Sequence, residues 1–116
     1  MKFELIKMMD GLKIYGDIPS LPVDYSDEQG ERYVGEESDS WLLLEDMVHN
    51  IDPLINNLLD YGDVDYFSKE KCIVLKKWLN NRKEKEMSPR LNELYAVLSE
   101  YVDKAIDLGT GVVIEL

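Results

Sequence analysis

The side chains in this chain that could carry chemistry are one histidine, one cysteine and several groups of acids. His49 has Glu45, Asp46 and Asp52 within helical reach, a carboxylate and imidazole pairing of the kind used in general acid–base catalysis. Catalysis also needs a reacting partner, and neither serine nor cysteine stands in a nucleophile motif, so His49 is expected to be an ordinary surface or capping residue. Cys72 lies in the apolar run from Cys72 to Leu75 and reads as a buried thiol with no disulfide partner. Asp24, Asp27, Glu28 and Glu31, and further on Asp60, Asp63 and Asp65, gather the oxygen ligands that calcium takes. Their spacing fails the EF-hand test: counted from Asp24, the sixth position is Gln29, one residue before Gly30, and the twelfth is Gly35 instead of glutamate. Zinc lacks ligands, with a single cysteine and a single histidine. Gly109-Thr110-Gly111 precedes a strand pattern instead of a helix, so it is no phosphate loop. No metal, cofactor or catalytic residue is expected.

Charge is the stronger signal. Residues 10 to 65 hold 15 acids against Lys13 and Arg32, whereas residues 66 to 92 reverse the sign, with eight bases against Glu70, Glu84 and Glu86. The net charge is -11 and the pI about 4.4. A surface of that sign repels nucleic-acid phosphates and anionic lipid and draws in cationic molecules. The lysine-rich stretch around Trp78 and Arg82 combines charge with a stacking ring, yet it is better read as a solvated face that complements the acidic segment, with Trp78 in or near the core. Tyr15, Tyr25, Tyr33, Tyr61 and Tyr66 fall in or beside the acidic half, a palette of rigid rings and carboxylates suited to a basic partner. Tyr25 and Tyr33 are the rings expected to be most exposed.

A chain of 116 residues with 45% hydrophobic content is the size of one domain. Residues 2–8 and 12–15 read as strands joined at Asp10-Gly11, a hairpin signal. Residues 16–40, with Pro19, Pro22, Gly16, Gly30 and Gly35 among seven acids from Asp24 to Asp39, read as a long acidic loop. Apolar residues from Leu44 to Leu59 recur at steps of three and four, predicting a helix over about 40–60 capped by Ser38, Asp39 or Ser40; Pro53 either kinks it or starts a second helix with Asp52 as cap. Ser68 opens a helix over 68–84, whose run from Cys72 to Leu75 is expected to be covered on more than one side. Ser88-Pro89 opens another over 89–108, and Gly109 stops it. Residues 112–116 form a closing strand. The expected fold is α+β: three to four helices on a small antiparallel sheet formed by the N-terminal hairpin and the C-terminal strand. The short, mixed start of the chain has no apolar leader pattern, and no apolar run approaches a bilayer's thickness, which points to the cytoplasm.

Size, acidity, the tyrosine-rich stretch from Tyr15 to Tyr66 and the missing catalytic apparatus together resemble the small acidic immunity proteins of bacterial toxin systems. That resemblance implies a cytosolic monomer or weak homodimer that binds a basic toxin domain and blocks it by occlusion. Asp24, Asp27, Glu28, Glu31, Glu36, Glu37 and Asp39 would meet its lysines and arginines, and Tyr25, Tyr33 or Trp41 would hold the complex. The alternative is a phage or mobile-element accessory protein or DNA mimic that blocks a DNA-binding enzyme, which needs carboxylates repeated along an extended surface.

Overall fold

The two strands richest in large apolar residues lie at the centre of the sheet. In the computed structural model, which describes residues 1–51 and 60–116, β1 (Lys2–Ile6) pairs antiparallel with the last strand, β6 (Gly111–Glu115), placing Phe3 opposite Ile114 and Leu5 opposite Val112. The flanks are β4 (Gly30–Val34) beside β1 and β5 (Val64–Phe67) beside β6, so the sheet runs β4-β1-β6-β5, antiparallel throughout. Alternation along each strand gives the sheet two different faces. Phe3, Leu5, Val112, Ile114 and Phe67 join the main core. Ile6 and Val113 point the other way, into a smaller cluster with Leu21 that Ile18, Tyr25 and Tyr66 complete.

Three helices supply the main core. α1 (Glu37–Leu43) runs on into a π-helical turn, Leu44–Val48, closed by the amide of His49 donating to Leu44 O. α2 (Lys69–Arg82) buries Cys72, Leu75 and Leu79. α3 (Pro89–Leu108) buries the stripe Leu91, Leu94, Tyr95, Leu98, Tyr101, Val102 and Ala105. Its ends follow the sequence: Ser88 Oγ accepts from Leu91 N at 3.2 Å, Pro89 takes the first turn, and Gly109 at φ 72° supplies the left-handed cap. Trp78 meets Tyr95 edge to face at 5.7 Å, placing it at the margin of the core. No described helix is long and apolar enough to cross a membrane.

The α+β class, the helices over 68–84 and 89–108 and the strands at both ends agree with the sequence reading; several details differ. The arm at 12–15 does not pair with β1: β2 (Lys13–Tyr15) pairs with β3 (Ile18–Ser20) through the two-residue turn Gly16-Asp17, with Gly16 at φ 63°. Asp10-Gly11 forms a turn leading into that ribbon, with Leu12 N donating to Met9 O. The stretch 16–40 is not one loop, since it holds β3, β4 and the start of α1. Gly30 belongs to β4 because a side chain there would collide with the carbonyl of Leu5 across the pair. The first helix is capped at Glu36, earlier than expected, by a reciprocal box in which Glu36 N donates to Asp39 Oδ2 at 2.8 Å. On α2, Cys72 and Leu75 are buried and Val74 packs against the core from another side, while Ile73 alone in the run is exposed. The Pro53 question, and the rest of the expected helix beyond Ile51, fall outside the described residues.

Candidate functional site

Folding splits the nine residues proposed for binding. Asp27 and Glu28 sit in the turn that feeds the Gly30 end of β4, where Gly30 N donates to Ser26 O, with exposed Asp24 just before it. Glu36 and Glu37 follow the other end, a strand length of roughly 13 Å away. The remaining four make contacts inside the molecule. Tyr25 is half-buried with the Arg32 guanidinium 4.9 Å from its ring centroid, and Tyr33 stacks on Phe3 at 6.2 Å, so the two rings expected to be most exposed are the inward ones. Glu31 accepts from Lys104 at 3.0 Å and lies 3.3 Å from Lys7; the Lys104 ammonium, against some burial, holds its carboxyl below the usual range. Asp39 is buried, accepts the Arg90 fork at 2.9 and 2.7 Å, and is held low chiefly by that fork.

Two further clasps hold the fold, one within the sheet and one from the acidic front to the basic α2. Buried Glu4 faces Arg32 across the β1–β4 register, with Nε donating at 2.7 Å. Asp46, on the π-helical turn, accepts Arg82 Nε and Nη2 at 2.8 and 2.9 Å and the Tyr95 hydroxyl at 2.6 Å. Among the described residues eight of the 13 lysines and arginines are engaged in ion pairs, and three of these pairs, Asp39–Arg90, Asp46–Arg82 and Asp65–Lys71, join the acidic stretch 10–65 to the basic stretch 66–92.

What the clasps leave uncovered is one aromatic platform with acids around it. Trp41, on α1, and Tyr61, just before β5, stack in parallel, 4.9 Å between ring centroids and 4° between planes, while 49% and 47% exposed. Stacking at that separation is favourable, yet two large rings held half in water keep much of their apolar area available. Both rings are fixed. Asp39–Arg90 and Asp46–Arg82 tie α1 and its extension to α3 and α2. Tyr61 sits in a turn closed by Asp60 N donating to Asp63 Oδ2 and Tyr61 N to Asp60 Oδ1, and Gly62 N and Leu116 N tie that turn to the end of β6. The neighbouring Glu37 carboxylate raises the pKa of the Tyr61 phenol. Glu36, Glu37, Asp60 and Asp63 form no ion pair among the described residues, which leaves the platform's edge negative.

The residues read as possible chemistry are placed unremarkably. His49 is exposed at the end of the π-helical turn. Cys72 is buried with Sγ donating to Phe67 O at 3.3 Å, and burial pushes its thiol up to about 12. Among the described residues no group of His, Cys, Asp and Glu is placed to hold a metal. An open groove of about 440 Å³ between Asn50 and Trp78 is walled by Asp46 and Arg82, which are already spent on each other. Trp41 and Tyr61 had each been noted in the sequence, but twenty positions apart they carry no sign that they pair. No known protein family, curated protein or solved structure matches this chain.

Proposed function

We propose that this chain is a non-catalytic binding protein, of the immunity type, that neutralises a basic protein domain in the cytoplasm by covering it. The exposed Trp41–Tyr61 stack carries this reading. Rigid aromatic rings are the commonest anchors of protein interfaces, since they bring large area at little entropic cost. Its border of Glu36, Glu37, Asp60 and Asp63 would select lysine and arginine, and the overall charge of -11 would steer such a partner inward before contact. In this reading the Asp24, Asp27 and Glu28 group at the other end of β4 contributes to steering, and Glu31, Tyr33 and Asp39 support the surface from inside.

Two charge-reversed variants separate the ends: Glu36→Lys with Glu37→Lys and Asp60→Lys, and Asp24→Lys with Asp27→Lys and Glu28→Lys. Immobilised wild type should retain a basic, domain-sized protein at low salt. The first variant should lose it, the second should retain it with slower association, and Trp41→Ala should hold it far more weakly at every salt. Retention by the first variant and loss by the second would move the site to the Gly30 end of β4.

A further inference from the structure

The β2–β3 ribbon covers the outer face of the sheet incompletely. Between them lies a mainly apolar slot of about 260 Å³, with Tyr15, Ile18 and Pro19 on the ribbon side and Val64, Val113 and Glu115 on the sheet side. Its volume falls below the roughly 300–1,000 Å³ of pockets for cofactors and drug-sized ligands, and suits one large side chain. The charges at its edge are already answered: Lys2 lies 3.7 Å from Glu115, and Glu4 is held by Arg32. The slot therefore favours an uncharged apolar occupant over a charged one. Its rim differs. Asp17 directly precedes Ile18 and Asp63 directly precedes Val64; both acids are exposed and make no ion pair among the described residues. Tyr15 at 65% and Val64 at 38% exposure leave the entrance open. Val64, Glu115, Lys2 and Val34 form one row across the sheet at the end where Tyr61 precedes β5.

We infer that the partner seats one bulky apolar side chain, flanked by lysine or arginine, in the slot between the ribbon and the outer face of the sheet. This rests on the binding function proposed above and adds an anchor to it. The apolar group would bury itself against Val113 and Val64 while the flanking cations meet Asp17 and Asp63.

Two short peptides test it, Lys-Phe-Lys and Lys-Ala-Lys, capped at both ends and titrated into full-length protein labelled at its methyls and backbone amides and followed by NMR. The Phe peptide should shift the Val64, Val113 and Ile18 methyls and bind at least about ten-fold more tightly than the Ala peptide, the value of burying one aromatic side chain. Val64→Lys, at an exposed edge-strand position, and Tyr15→Ala, which removes one wall, should each erase that difference while the spectrum stays folded. Equal affinity of the two peptides, or shifts confined to Trp41 and Tyr61, overturns the slot and leaves the binding function standing. No shift anywhere up to about 1 mM peptide overturns the slot, while retention of a basic domain by the wild type tests the binding function separately. A wild-type dimer that Val64→Lys converts to monomer in sedimentation would assign the slot to a second copy and overturn the inference.

Discussion

Arg82→Met tests the clasp that holds the π-helical turn, and with it α1 and Trp41, against α2 and α3. The guanidinium makes two charge-assisted bonds to Asp46 and reaches the carbonyls of Lys85 and Glu86 at 3.5 and 3.3 Å. The side chains of Arg82 and Asp46 are 16% and 23% exposed, so the pair is neither fully desolvated nor free in water. Breaking a buried pair costs about 3–5 kcal/mol; scaled for this partial exposure, the loss is about 2–3 kcal/mol. For a domain of this size that lowers Tm by about 10 °C. Burial pushes the Asp46 carboxyl up, but the Arg82 fork and the Tyr95 hydroxyl outweigh it and hold the group below its ordinary range. A carboxyl depressed in the folded state adds stability above its unfolded pKa and loses it as pH falls through the folded value. Equilibrium urea unfolding at a series of pH values should therefore show the gap between wild type and Arg82→Met full near pH 6–7 and shrinking below about pH 4. The dependence on urea should be the same for both, as expected when the native and unfolded surfaces are unchanged. A gap under about 0.5 kcal/mol at neutral pH, the size of an exposed pair, or one that persists unchanged into acid, would refute the reasoning.

Other consequences are simpler to read. Glu37→Gln should bring the Tyr61 phenol back toward its ordinary pKa in an ultraviolet titration, because the Glu37 carboxylate is the main cause of its rise. Cys72, kept protonated by burial, should react with a thiol-directed disulfide reagent only as the protein unfolds; reaction at the rate of a free thiol in the folded state would place it at the surface. Gly109→Ala meets no neighbour, so its cost of about 1–2 kcal/mol should come from the left-handed backbone alone, read as a lower Tm, and Asn at the same position should cost less.

What could be read along the chain was what local patterning determines. α3 has a cap, a proline, a continuous stripe and a terminal glycine, and its bounds emerge directly. The outer strands were harder because edge strands are short and half wet. Gly30-Glu31-Arg32-Tyr33-Val34 shows an alternation that is polar on both faces, since Glu31 is answered by Lys104 on one side and Arg32 by Glu4 on the other. Those partners are distant in sequence, so the stretch looks like loop. The ribbon was misplaced although its signal was present: Gly16-Asp17 between Tyr15 and Ile18 is a two-residue hairpin turn as good as Asp10-Gly11. For the surface, acid count overstated the free charge, because Asp39, Asp46, Glu4 and Glu31 are consumed internally. Trp41 and Tyr61 meet only after the sheet closes, which no spacing rule conveys.

If, as proposed, a basic protein docks on the Trp41–Tyr61 platform and is steered by the surrounding acids, its kinetics carry both contributions. Stopped-flow association of the retained partner with wild type and Trp41→Ala, across an ionic-strength series, measures both halves at once. The on-rate should fall at least about ten-fold from low salt to well above physiological ionic strength, with Trp41→Ala leaving that slope intact and raising the off-rate about a hundred-fold. An on-rate indifferent to salt, together with an off-rate unchanged by loss of the ring, would contradict it.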